Sequence, residues 1–335
     1  MANPVLVELT RGESVESIHR GAVAIVDSEG RIRAALGDVE QPICPRSSLK
    51  PIQALPFVES GAADAFALTD EHVALACASH SGEPMHTERV AQWLEHLGLS
   101  QADLACGPHP VRFEPAWHAM IARVEQPTRI HNNCSGKHAG FLTVARHWDI
   151  AISGYEDPRH PVQQAVAGVL RDLCGVSDLP SVVDGCAAPN FFVPLAAFAR
   201  ALARLASPEA LAPSRARAAR RMVSAMVHHP ELVSGTGRAC SILMRSCSGR
   251  AAVKAGAEGV YAAIIPSLGL GAAIKIDDGA GRAAETAIAS VLHSMNVLGH
   301  DIAAGEILRA PVVNTRGTKV GERRPTEALS DIQIV

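Results

Sequence analysis

The chain has 335 residues, a formal net charge of -3, 47% hydrophobic and 19% charged residues. Such a length and composition suit a globular protein with a sizeable core and exclude a disordered or fibrous chain. The near-neutral charge leaves no footprint for nucleic acid, and the arginines between 215 and 221 read as a solvated helix face.

In chain order, Val5 to Leu9, Gly21 to Asp27 and Arg31 to Leu36 alternate as strands, the last two joined by Ser28-Glu29-Gly30, which predicts an antiparallel N-terminal sheet. Helices are predicted from Ser47 to Val58, from Thr69 with Asp70-Glu71-His72 behind it, and from Glu83 to Leu97. The middle continues with helical spacing over Pro161 to Leu173, Val193 to Leu205 and Pro213 to His228. Strands return at Gly259 to Pro266 and Gly271 to Asp277 as a hairpin, and Thr286 to Leu298 reads as an apolar helix. A mixed sheet built from both chain ends around a helical centre follows, with no repeat or linker, so residues 1–335 are expected to form one two-lobed domain. The start of the chain lacks a basic segment followed by an apolar run, and the stretch from Tyr261 to Ile274 is too short to span a bilayer. A cytoplasmic location without membrane contact is expected, in which the eight cysteines stay free as buried thiols, metal ligands or reactive groups.

Only five lysines occur: Lys50, Lys137, Lys254, Lys275 and Lys319. In so arginine-rich a chain each is a candidate for work that guanidinium cannot do, above all acting as a neutral base. Lys50 closes Ser47-Ser48-Leu49-Lys50, an S-x-x-K motif. If this segment opens a helix, residues three apart share a face and the amine reaches the Ser47 hydroxyl, making Ser47 the candidate nucleophile. For that, a lysine pKa must fall from about 10.4 to roughly 7, through desolvation or a second cation. Further polar, small-residue segments lie between apolar runs: Ser79-His80-Ser81-Gly82, Asn132-Asn133-Cys134-Ser135-Gly136-Lys137-His138, Asp184-Gly185-Cys186 and Lys254-Ala255-Gly256-Ala257-Glu258-Gly259.

In this order, with Arg46-Ser47-Ser48-Leu49-Lys50 at the head, the segments resemble those of the rhizobial-type, or class 3, L-asparaginases, from Leu6 to about Asp278. The resemblance implies an α/β (α+β) fold of the serine β-lactamase type, with an antiparallel sheet from both chain ends flanked by helices and a helical lobe. It also implies a homodimer that hydrolyses L-asparagine to L-aspartate and ammonia. Matched motif by motif, it implies two Ser-Lys tandems, Ser47 with Lys50 and Ser79 with Lys254, and a Zn²⁺ site of Cys134, Lys137 and Cys186 that supports substrate binding rather than supplying the nucleophile. Two lysines in one pocket would repel, which drives at least one toward the neutral form. Arg46, His80, Asn133, His138 and Asp184 are pocket candidates: Arg46 for a substrate carboxylate or a neighbouring acid, Asp184 for a turn, a bound water or a substrate ammonium. Rival readings are a β-lactamase or peptidase-like serine hydrolase, and a non-catalytic zinc or amino-acid sensor in which the Ser-Lys pairs only pack.

Overall fold

The computed structural model describes residues 2–335. An eight-stranded antiparallel sheet draws on both chain ends: β1 (Val5–Arg11), β2 (Ser14–Asp27), β3 (Ile32–Leu36), β4 (Ala252–Ala255), β5 (Val260–Ile265), β6 (Leu270–Ile276), β7 (Ala310–Val313) and β8 (Lys319–Pro325). The order is β7-β8-β1-β2-β6-β5-β4, with β3 also on β2. The first half of β2 pairs with β1, and its second half lies between β6 and β3. The hairpin expected over Gly259 to Asp277 is β5 with β6, in the register Leu270 with Ile265. Consecutive positions of β5 and β6 are buried, so both sheet faces are covered.

The middle of the chain supplies α1 (Asp70–Ala76), α2 (Pro84–His96), α3 (Ser135–His147), α4 (Pro161–Cys174), α5 (Leu195–Ala206) and α6 (Pro213–His228), followed by α7 (Ala239–Ser246) and α8 (Gly281–Ser294). Helix α5 packs on β6 and β2, and α8 packs on β5 and β6. Gly271 allows the first of these contacts, because a Cβ there would collide with the Ala199 carbonyl and the Ala203 amide of α5. Among the described residues no helix is long and apolar enough to cross a membrane.

Three expected elements differ. The helix read over Ser47 to Val58 is a 3₁₀ turn (Arg46–Leu49) followed by the short helices Lys50–Gln53 and Leu55–Glu59. Pro51 and Pro56 each open one of these pieces, where a ring without an N–H is tolerated but a continuous helix is not. The helix read from Thr286 begins earlier, at Gly281, and ends at Ser294. The C-terminal strands β7 and β8 went unrecognised because Lys319–Pro325 carries four charged residues. Strand β8 pairs along β1, where Arg324 meets Glu8 at 2.7 Å, and β7 pairs with β8.

Candidate active site

Four tertiary contacts assemble what the sequence scatters. Cys77 closes α1, and the chain then extends through Ala78, Ser79 and His80, anchored by Ser79 N–H on the Val233 carbonyl at 2.9 Å and His80 N–H on the Asn133 carbonyl at 3.3 Å. Helix α3 approaches α1 closely because Gly136 leaves no Cβ to strike the Leu75 carbonyl. Strand β4, paired to β5, carries Lys254 in from the far end of the chain. The 3₁₀ turn contributes Ser47 and leads into Lys50.

At the centre is the Ser79 hydroxyl. Lys254 Nζ lies 2.7 Å and Lys50 Nζ 2.9 Å from Ser79 Oγ. Lys50 also donates to the Ala78 carbonyl at 2.5 Å and the Asn133 carbonyl at 3.2 Å. An ammonium has three N–H donors, and these three acceptors use them all. The Ser47–Lys50 bond expected from the i, i+3 spacing is therefore not made; Lys50 spends its donors on partners far away in sequence. Lys254 donates to a single carbonyl, that of Ala255 at 2.8 Å. Its amine is pulled down to about 7, first by burial and then by the positive charge of Lys50. Near neutral pH Lys254 thus has a lone pair to offer the Ser79 proton, while Lys50 retains full charge solvation by protein oxygens.

Ser47, Ser79, Asn133 and Lys254 share the wall of a cavity of about 210 Å³. A larger cleft of about 710 Å³ lies on the far side of Arg46 and contains none of the Ser-Lys groups. Arg46 faces that cleft and grips Asp184, with Nε 2.9 Å from Oδ1. Of the two roles open to Arg46 from sequence, the neighbouring acid is the one realised. Asp184 also caps its own turn through Gly185 N–H at 2.7 Å and receives the Asn190 amide at 3.2 Å. His80 is not on the cavity wall. Its ring is buried, stacked 4.9 Å from His86, with Nε2 2.8 Å from Ser135 Oγ and Nδ1 accepting from Gly82 N–H. Burial, then the charge of His86, holds it neutral.

A second cluster adjoins the first through Asn133, whose carbonyl holds Lys50 and whose side-chain oxygen accepts from Cys134 Sγ at 3.2 Å. Lys137 Nζ is 3.0 Å from Cys186 Sγ, and Cys134 lies close enough to couple to Cys186. Cys186 is pulled down by the Cys134 thiol and by the Lys137 charge, and Cys134 is pushed up by the same contact and by burial. Burial lowers Lys137, but the two sulfurs outweigh it and hold the amine above its ordinary range. The Tyr155 hydroxyl accepts Ala105 N–H at 2.8 Å and lies 2.6 Å from His138 Nδ1, while the buried Nε2 has no nitrogen or oxygen partner and faces Cys186. Among the described residues no three His, Cys, Asp or Glu side chains converge as a metal site. Two sulfurs and one amine gathered in one buried cluster are nevertheless a soft donor set that suits zinc once the amine is deprotonated.

Sequence reasoning missed Arg112, Arg238 and Glu285, which also line the small cavity. Neither arginine stands in a recognisable motif, so only the fold reveals them.

A family model described as L-asparaginase II matches residues 7–325. No curated protein matches the chain. Among solved structures, a β-lactamase from Mycobacterium bovis is 16% identical over 83% of this chain and 95% of its own, at a TM-score of 0.43. A protein from Bacteroides dorei assigned to the β-lactamases is 12% identical over 76% of this chain and 84% of its own, at a TM-score of 0.42.

Proposed function

The chain belongs to the L-asparaginase II family, and from that premise we propose that it hydrolyses the side-chain amide of L-asparagine to L-aspartate and ammonia. The observation that carries this reading is the Ser79 hydroxyl held between two lysine amines, one pulled down to about 7, on a cavity that Ser47 also lines. That arrangement favours acyl transfer over the sensor reading, since groups that merely pack have no use for a neutral buried amine on a hydroxyl.

In the proposed cycle Ser47 Oγ attacks the amide carbon. Its proton passes to Ser79 as the Ser79 proton moves to Lys254. The C–N bond then breaks, Lys254 returns the proton through Ser79 to the departing ammonia, and water cleaves the acyl-Ser47 ester by the same relay in reverse. Catalytic hydrogen bonds that are long without substrate tighten when it binds, which the Ser47 to Ser79 step requires. Lys50, with its donors on Ser79 and two carbonyls, stabilises negative charge on Ser79, and its charge disfavours protonation of Lys254. A second reading, in which Ser79 itself attacks, is favoured by its direct contact with both lysines. Peptide mapping of an acid-quenched acyl-enzyme separates the two: the ester sits on Ser47 in the first and on Ser79 in the second.

Cys134, Lys137 and Cys186 would hold Zn²⁺, which when bound would neutralise the thiolates and rigidify the Asn133 segment that carries the Lys50 carbonyl contact. No catalytic step needs it. A homodimer and a cytoplasmic site of action complete the proposal on family grounds. A coupled assay of ammonia release tests the substrate: rapid release from L-asparagine with slow release from L-glutamine is expected, and comparable rates, or faster opening of a β-lactam, would overturn it.

A further inference from the structure

The segment that follows Ser79 does more than continue the chain. The Ser81 carbonyl accepts the Arg112 backbone N–H at 2.8 Å. Two residues on, the Glu83 carboxylate takes the Ser81 hydroxyl at 2.5 Å, the Thr236 N–H at 2.8 Å and the Thr236 hydroxyl at 2.7 Å. The loop so anchored turns at Gly235, whose φ of 126 no L side chain adopts without strain, and three residues later presents Arg238. One short stretch directly after Ser79 thus fixes two otherwise unrelated loops, each delivering one arginine to the cavity that Ser79 and Lys254 line.

The two guanidiniums are unspent. Arg46, Arg89 and Arg215 each grip a carboxylate, whereas among the described residues Arg112 and Arg238 make no side-chain hydrogen bond or ion pair. They are close enough that the Arg112 guanidinium is held below its ordinary range, by burial and then by the charge of Arg238. Placing two uncompensated cations together in a cavity that already holds Lys254 is unfavourable unless an anion joins them. On the same wall Glu285, projecting from α8, makes no side-chain hydrogen bond or ion pair among the described residues, although the charge of Arg323 is near enough to be felt. Two free cations and one free anion around a reacting centre match the backbone charges of an α-amino acid.

We propose that Arg112 and Arg238 bind the α-carboxylate of the substrate and that Glu285 binds its α-ammonium, so that these three residues select amino-acid amides over simple amides. The proposal rests on the asparagine reading above and names the residues that enforce it. A carboxylate shared by two guanidiniums receives charge-assisted hydrogen bonds that serve ground state and transition state alike, so their loss raises KM more than it lowers kcat.

The test uses three amides with the same reacting group: L-asparagine, succinamate (no α-amine) and 3-aminopropanamide (no α-carboxylate). Arg112→Gln and Arg238→Gln are expected to raise KM for L-asparagine and succinamate by about tenfold to a hundredfold and to leave 3-aminopropanamide unchanged. Glu285→Gln is expected to raise KM for L-asparagine and 3-aminopropanamide and to leave succinamate unchanged. Equal shifts for all three amides, or losses confined to kcat, would overturn the assignment while the asparagine reading stands. If the wild-type chain releases no ammonia from L-asparagine, that reading fails. Calorimetry with L-aspartate then decides the present one: weaker binding by Arg238→Gln than by wild type supports it, and equal binding overturns it. Circular dichroism of each variant guards against loss of fold.

Discussion

Lys254 and Lys137 are equally buried, each 2% exposed, yet their amines are pushed in opposite directions. Burial lowers both. The difference is the neighbour: Lys254 faces the ammonium of Lys50 across Ser79, and Lys137 faces the sulfurs of Cys186 and Cys134. Two clusters that share Asn133 therefore prepare the same side chain for different chemistry, a neutral base in one and a charge-paired amine in the other. Desolvation alone does not make a lysine reactive; it amplifies whatever charge stands next to it.

The sharpest way to break this comparison is to remove the base. Lys254→Arg keeps the positive charge but cannot lose a proton near neutral pH, so kcat should fall on the order of 10²- to 10⁴-fold with the fold intact by circular dichroism. A near-native rate would return Lys254 to a packing role. Next in size is a pH effect. Because Lys254 acts unprotonated, kcat/KM should rise with pH through about 7. Lys50→Met removes the repelling charge, which raises the Lys254 pKa and moves that limb toward alkaline pH. At the separation Ser79 imposes, the move should be on the order of one to two pH units; an unmoved limb would mean that burial alone sets it. The smallest effect concerns the sulfur cluster. Elemental analysis after incubation with zinc should find one ion per chain in the wild type and less in Cys134→Ser, Cys186→Ser and Lys137→Met. Affinity should climb with pH because every ligand must first shed a proton. Equal zinc content in all four proteins would remove the metal.

Much of the molecule was legible in the sequence. Alternating or continuous apolar residues marked β1, β3, β5, β6 and the second half of β2, because a strand half or wholly buried writes its pattern locally. The family resemblance carried by the ordered motifs implies Ser47, Lys50, Ser79 and Lys254 as one group, and Cys134, Lys137 and Cys186 as another. What the sequence could not decide is who touches whom within each group. The i, i+3 spacing pointed Lys50 at Ser47, but a buried ammonium must satisfy three donors, and the oxygens that do so belong to Ala78, Ser79 and Asn133, 28 to 83 residues away. Arg46 lay free to serve a substrate until the fold set Asp184 against it, and Arg112 and Arg238 carried no signal at all until two loops were tied to Ser81 and Glu83. Residue type and local period are properties of a short window and survive in the sequence. Hydrogen-bond satisfaction and charge pairing in a buried site depend on groups that only the tertiary structure brings within 3 Å, and they decided the roles here.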